Sequence, residues 1–119
     1  MTKFVNLTPH PITIHAADGD FIVPPSGTVA KADTTEIPSG SVSSEWGLVP
    51  VVQRSFGAVV GLPAAPESDT VYLVSSLVLG AMARSHACAR AVAAPDTGPT
   101  AKRDSKGQVS GVTRLVVLG

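Results

Sequence analysis

In residues 71–83, "VYLVSSLVLGAMA", the spacing of the apolar residues changes from that of a strand to that of a helix, and the fold depends on this change. "VYLVS" is apolar at nearly every position, which is typical of a buried strand. From residue 76 the apolar residues recur at helical spacing, and this pattern predicts a helix over residues 76–88. Ser75 or Ser76 is a good N-cap for its first turn. A strand therefore leads directly into the main helix of the chain.

Strand patterns dominate the sequence before this point. "KFVNL" and "ITIH" alternate apolar and polar residues, and the proline-rich "TPHP" forms a bend between them. Residues 12–23 contain an Asp-Gly turn between two apolar runs and predict a β-hairpin. A further strand is predicted at "TVAKA" after the break at "PPSG".

The middle of the chain gives a weaker pattern. Residues 33–47 are polar and small, which predicts a flexible loop with a weak strand at most. "LVPVVQ" and "FGAVVG" are β-branched runs that predict either two strands or one bent strand.

After the helix, residues 95–108 form a loop, because proline and glycine interrupt them four times. The closing "QVSGVTRLVVL" predicts one or two strands. Taken together, residues 1–119 predict a single β-rich α+β domain, with antiparallel sheets and one main helix near residues 76–88.

The composition restricts the class of partner. The chain has 119 residues, of which 44% are hydrophobic and 15% charged, and its formal net charge is zero. No overall field attracts it to nucleic acid or to a membrane surface. A weakly charged domain with many strand edges is expected to bury them in a homodimer or in an assembly of dimers.

Targeting and cysteine patterns are those of a soluble protein in a reducing compartment. The N-terminus lacks a signal-peptide core, and the longest helical apolar stretch is too short to span a bilayer. Cys88 is the only cysteine, so no internal disulfide forms, and a buried structural thiol is expected.

Catalytic and metal-binding motifs are not found in the sequence. No "GxSxG", His-x-x-x-His or Cys-x-x-Cys pattern occurs, and the nine acidic residues form no obvious pair. We therefore expect no enzyme active site, no metal and no cofactor. The five aromatic residues lie mostly in strand-like runs, where core packing is the ordinary explanation, so a nucleic-acid polymer is not expected as a partner.

A small anionic ligand fits the remaining polar residues better. Phosphates are bound by backbone N–H groups at helix starts and by a few Arg or Lys side chains. The strand-to-helix junction and the basic loop at residues 102–106 offer both, although a single exposed cation is more often only solvated. The loop supplies no apolar anchor, so the fold is not expected to depend on its arginine. The candidate ligand-binding residues are Lys31, Tyr72, Ser75, Ser76, Arg84, Arg90, Lys102 and Arg103.

An ordered set of short motifs resembles a group of small proteins encoded by bacteriophages and prophages. The motifs are "NLTPHPITI", "IVPPSGTVAK", "GLP", "VYLVSSLV" and "PDTGP…KRD…GQVSGV", and they extend over most of the chain. Within that group the chain is similar to Thoeris anti-defence sponges of the first type. That resemblance implies a dimer-based assembly that sequesters a cyclic ADP-ribose signal, with Lys31 and Arg103 as phosphate or ribose contacts. The role of Arg90 stays open.

Three functions follow from these observations. The first is a non-enzymatic sponge that sequesters a nucleotide-derived immune signal, such as a cyclic ADP-ribose isomer or a cyclic oligonucleotide, in the cytoplasm of an infected bacterium. The second is a phage structural or assembly accessory protein, whose apolar surface makes protein contacts alone. The third is a hydrolase that degrades the same signal.

Overall fold

A computed structural model describes residues 2–82 and 89–118 of the chain. The elements in chain order are β1 (Lys3–Asn6), β2 (Ile12–Ala16), β3 (Gly19–Val23), β4 (Lys31–Ser44), β5 (Gly47–Val60), β6 (Thr70–Leu73), α1 (Ser76–Ala81), a 3₁₀ turn (Ala89–Ala91), β7 (Val92–Pro95), β8 (Lys102–Arg103), β9 (Val109–Gly111) and β10 (Leu115–Val116). The prediction of a β-rich α+β fold with antiparallel sheets and one main helix is confirmed.

A four-stranded sheet forms the centre of the body, in the order β1-β6-β7-β10. β1 and β7 both pair with β6 in parallel, and β10 pairs with β7 antiparallel. Parallel strands are covered on both faces, which explains why β6 and β7 are almost continuously apolar. Leu73, Val74 and Val92 are fully buried. The parallel pairings were not predicted from the sequence.

Successive residues of the central strands point into two different core clusters, because strand side chains alternate between faces. On one face, Tyr72 and Val74 pack with α1, whose buried residues are Val78 and Leu79. On the other face, Leu73 packs with residues of the β2–β3 hairpin and of the segment after β9. The sheet therefore lies between the helix and the hairpin.

Helix α1 begins where the sequence predicted. The Ser75 hydroxyl oxygen accepts a hydrogen bond from the backbone N–H of Val78 at 3.2 Å, so Ser75 is the N-cap. The helix ends at Ala81, because Met82 adopts an extended conformation with ψ of 139°. The rest of the predicted helix, residues 83–88, lies outside the described residues, as does Cys88.

The predicted hairpin at residues 12–23 is confirmed as β2 paired with β3. The bend before it is organised by Asn6, which is 1% exposed. Its Nδ2 donates to the carbonyl oxygens of His10 at 2.8 Å and Val23 at 3.0 Å. Its Oδ1 accepts from the N–H and the hydroxyl of Thr8. The side chain thus joins β1, the "TPHP" bend and β3.

The prediction of a flexible loop at residues 33–47 is wrong. β4 and β5 are each 14 residues long and pair antiparallel along their whole length, with a tight turn at residues 45–46. The two β-branched runs form one strand, and the "TVAKA" strand begins only at Lys31. We call residues 31–60 the arm.

The arm projects from the body of the protein. The radius of gyration is 17.1 Å, whereas a compact domain of this length would have about 13.5 Å. The principal-axis extents of 54 × 39 × 26 Å show the same elongation. A fully extended strand of this length spans about 46 Å, so the arm accounts for the long dimension.

Candidate functional site

The arm exposes large apolar side chains along its length. A single hairpin is exposed on both faces, and apart from two half-buried residues at its base every residue of the arm is exposed. Monomeric proteins rarely expose contiguous apolar patches larger than a few hundred Å². The exposed large apolar residues of the arm are Ile37, Val42, Trp46, Leu48, Val49, Val51, Val52, Phe56 and Val60.

These residues occupy both faces of the arm. Side chains alternate along β5, so Leu48, Val52 and Phe56 share one face. Val49 and Val51 lie on the opposite face, where the register adds residues 37 and 42 of β4. Neither face is covered in the single chain, so the arm is apolar on two sides that both meet water.

The tip of the arm presents the only tryptophan of the chain. The Trp46 residue is 90% exposed, the largest value among the exposed large apolar residues. Its position is fixed by the turn, because the Ser44 hydroxyl oxygen accepts from the N–H of Trp46 at 3.2 Å and its O–H donates to the carbonyl of Gly47 at 2.7 Å. Tryptophan is enriched among residues that dominate binding energy at protein interfaces.

The base of the arm is anchored in the core. Val59 packs against the cluster that contains Val78 and Leu79. The chain then leaves the arm at Gly61, whose φ is +90°. A Cβ there would overlap the carbonyl oxygen of Val29 and lie 2.9 Å from the Cα of Ala30. Glycine is therefore required where the arm returns to the body.

The charged residues of the arm do not make it basic. Its cations are Lys31 and Arg54, against three acidic residues, so its formal charge is −1. Arg54 pairs with Glu36 across the two strands, with Nη2 2.6 Å from Oε1. The pair is half-exposed and neutralises itself within the arm.

Two of the predicted ligand-binding residues meet at the base of the arm. Lys31 and Ser75 line one groove of about 340 Å³, together with Thr8. The residues that line the groove are Lys31, two hydroxyl-bearing residues and otherwise apolar residues. Both hydroxyls are already used within the fold, because Ser75 caps the helix and Thr8 donates to Asn6 Oδ1 and to the carbonyl of His10. Lys31 is the charged residue that lines the groove.

The other residues of the strand-to-helix junction lie elsewhere. Ser76 lines a separate groove of about 310 Å³, formed with residues of β7, β10 and the segments that follow them. Tyr72 is 6% exposed and belongs to the core, with its hydroxyl oxygen accepting from the N–H of Glu67 at 3.1 Å. Core packing therefore accounts for Tyr72.

The loop at residues 95–108 is held together by its own polar groups. Arg103 donates from Nη1 to the carbonyl of Gly107 at 2.9 Å and from Nη2 to the carbonyl of Thr97 at 3.1 Å. Asp104 accepts from the N–H groups of Lys106 and Gln108. The expectation that the fold does not depend on the arginine is thus not supported, because its guanidinium bridges two parts of the loop.

A second polar contact joins this loop to the last strands. The carboxylate of Asp96 forms an ion pair with Arg114, and it also accepts from the N–H of Gly98 at 3.0 Å. The hydrogen bond from Arg114, followed by that from Gly98, lowers the pKa of Asp96 below its ordinary value of 3.8. This contact keeps the carboxylate ionised and links the start of the loop to β10.

Neither Arg90 nor Lys102 lines the groove of Lys31 and Ser75. Arg90 is exposed in the 3₁₀ turn, and Lys102 is exposed at the start of the β8–β9 ladder. Arg84 lies outside the described residues. Among the predicted candidates, the structure thus brings Lys31 and Ser75 together at one groove.

Sequence reasoning missed the arm as a candidate site. The pairing register of β4 with β5 shows which residues could have indicated it. The β-branched and apolar residues at 34, 35, 37 and 42 face the valine-rich run of 49–56 across a tight Glu-Trp-Gly turn. The serine- and glycine-rich residues between them concealed the first strand.

Two further observations concern metals and membranes. Residues 2–82 and 89–118 contain no group of three His, Cys, Asp or Glu side chains that could bind a metal ion. No helix in this described part of the chain is both long and apolar enough to cross a membrane.

In comparisons with known proteins, no protein-family model, no curated protein and no solved structure matches the chain.

Proposed function

We propose that this chain is a non-enzymatic assembly protein that binds other protein surfaces through its arm. The observation that carries the proposal is the apolar character of both arm faces, with the Trp46 residue 90% exposed at the tip. Apolar area of this kind stabilises protein association when water is excluded from it. Trp46 and Phe56 are aromatic anchors of the kind that dominate such interfaces.

The motif order supports a phage setting for this function. The resemblance to small phage and prophage proteins is compatible with a structural or assembly accessory role in the cytoplasm of a bacterial host. Two residues of these motifs have structural roles in this chain. Asn6 of the "NLTPH" motif organises the bend, and Gly61 of the "GLP" motif permits the close approach at the arm base.

A photo-crosslinking amino acid at position 46 tests the proposal in the cell that produces the protein. We expect adducts with protein, because the tip residue lies within an interface. The matched control is the same crosslinker at Lys106, an exposed position on a loop of the body. Adducts from position 46 that are no more frequent than those from position 106 would contradict the proposal.

A signal sponge is the second candidate function, and the groove at Lys31 favours it. Lys31 lines this groove together with Ser75, and a lysine ammonium forms charge-assisted contacts with phosphate. A homo-oligomer would place two or more such grooves in one particle. The ligand would be a cyclic ADP-ribose isomer or a cyclic oligonucleotide.

Depletion and release of a signal molecule tests this second function. The protein is incubated with the candidate signal, the free signal is measured, and the protein is then denatured by heat. Depletion followed by intact release supports a sponge, and destruction of the signal indicates the hydrolase. Lys31→Ala should reduce depletion about tenfold or more, whereas Lys106→Ala should not. Equal depletion by both variants would remove this groove as the site.

A further inference from the structure

We infer that the arm binds a second copy of this chain. The inference rests on the proposed function, because it names the protein partner of the arm. It commits to an assembly in which each arm lies across its partner, with the apolar faces of β4 and β5 covered in the contact. The groups that carry it are the exposed apolar residues of the arm and the prolines of its two strands.

The exposed apolar area of the arm has the size that a stable interface requires. Summed over both faces, the exposed fractions of its nine large apolar residues correspond to about five whole residues. An aromatic side chain buries roughly 150–250 Å² and an aliphatic one less, so the sum is on the order of several hundred Å². A stable interface buries about 800 Å² on each partner. Covering both faces of one arm therefore buries an apolar area comparable to one side of a dimer contact.

A partner must cover the apolar faces of the arm whenever the chain is folded. An isolated two-stranded hairpin is marginally stable at best in water, because it lacks a packed face. The arm orders 30 residues, and only Ala32 and Val59, near its base, are even half-buried. A second copy is synthesised in the same place and amount as the first. It is the partner that is always available.

The charge of the arm argues against nucleic acid and anionic membranes as the occupant. Two-stranded ribbons that bind nucleic acid rely on Lys and Arg to neutralise phosphates. This arm has a formal charge of −1, and one of its two cations is paired with Glu36. The whole chain is electrically neutral, so two copies do not repel each other.

The prolines indicate contact through the faces rather than through the strand edges. Each strand of the arm contains one, Pro38 in β4 and Pro50 in β5. Proline has no backbone N–H, and it is typical of strands that do not extend a sheet further. The apolar faces that contain Leu48 and Val49 are therefore the docking surfaces, and the assembly closes instead of growing edge to edge.

Light scattering of the purified full-length chain tests the inference. We expect a mass of at least twice 12.1 kDa at micromolar concentration. The variant Leu48→Ser/Val52→Ser removes apolar groups from one arm face, and its mass should fall to that of a single chain. The matched control is Ile22→Ser, which alters a residue that is 63% exposed outside the arm and should leave the mass unchanged.

A parent protein that is monomeric overturns the inference, and so does an arm variant that keeps the parent's mass. If the arm variant does not fold, the inference is tested with the photo-crosslinking amino acid at position 46 of the otherwise unaltered protein. A covalent adduct between two copies supports the inference, and the absence of any such adduct overturns it.

The two proposals fail in distinguishable ways. A monomeric chain that crosslinks from position 46 to a different protein refutes the second-copy inference and leaves the assembly function intact. A chain whose position 46 gives no adduct above the Lys106 control refutes both.

Discussion

Asn6→Ala should destabilise the fold more than an ordinary substitution in a strand of this chain. The side chain is 1% exposed, and all of its polar atoms are used. Its removal leaves the carbonyl of Val23 without this partner in a buried position, and it also frees the carbonyl of His10 and the N–H of Thr8. The bend between β1 and β2 would lose the group that closes it.

The magnitude follows from these contacts. A buried group left unsatisfied costs about 1–3 kcal/mol, and each of the half-buried contacts contributes about 0.5–1 kcal/mol. The free energy of unfolding should therefore fall by about 2–5 kcal/mol, out of roughly 5–15 kcal/mol for a domain. Asn6→Asp should cost as much at neutral pH, because it places an acceptor where Nδ2 now donates to two carbonyl oxygens.

Urea denaturation followed by circular dichroism measures the effect. With a slope near 2 kcal/mol per molar, a loss of this size lowers the midpoint by about 1–2.5 M. Thr2→Ala, at an exposed position before β1, is the control and should leave the midpoint unchanged. A loss below about 1 kcal/mol for Asn6→Ala would refute the role of this side chain as the organiser of the bend.

Three further predictions concern the arm base and the loop. Gly61→Ala should lower the free energy of unfolding by about 2 kcal/mol or more, because φ is +90° and the added Cβ overlaps backbone atoms. Gly80→Ala in helix α1 has open space and should raise it by up to about 1 kcal/mol. Equal effects of the two variants in thermal melts would argue against the close approach at Gly61. Arg103→Ala should lower the free energy of unfolding by about 1 kcal/mol, because two contacts to backbone carbonyls are lost. Lys102→Ala, the control, should lower it by less than about 0.5 kcal/mol. Indistinguishable unfolding midpoints of the two variants would show that the arginine does not stabilise the loop. Because the pKa of Asp96 is lowered in the fold, its ionised form stabilises the protein above pH 3.8, and this contribution is lost as the pH falls through the folded pKa. The melting temperature of the parent should therefore converge on that of Asp96→Asn in acid. A difference between the two melting temperatures that stays constant with pH would contradict the assignment.

The elements next to the core were predictable because burial gives them strong local patterns. The hairpin at residues 12–23 combines alternation with an Asp-Gly turn, and Ser75 stands where the period changes from strand to helix. The parallel pairing of β1 and β7 with β6 was not predictable, because strand partners depend on contacts distant in sequence.

The arm was missed because its first strand has almost no buried residue. Without a covered face, no apolar alternation is required, and residues such as Ser39, Gly40 and Ser41 resemble a loop. Its pairing with β5 becomes visible only through the register across the turn. The same exposure that conceals the strand in the sequence makes the arm the strongest candidate interface in the structure.

The candidate ligand residues were selected by charge and by position at a helix start, and these criteria do not report side-chain contacts. Arg103 has its guanidinium donors directed to two carbonyls of its own loop, and the Tyr72 side chain lies in the core. Lys31 and Ser75 do share a groove, because β4 begins beside the N-terminus of α1. That juxtaposition depends on the tertiary fold and could not be inferred from spacing.

Intrinsic fluorescence of the unaltered protein tests the central claim most directly, because Trp46 is the only tryptophan and lies at the tip of the arm. In a single chain this residue is 90% exposed. Burial against a second copy should shift its emission to shorter wavelength and reduce quenching by acrylamide as the protein concentration rises, with the reverse on dilution. Emission typical of a water-exposed indole, with undiminished quenching at every concentration, would contradict the proposal that the arm is covered by a second copy.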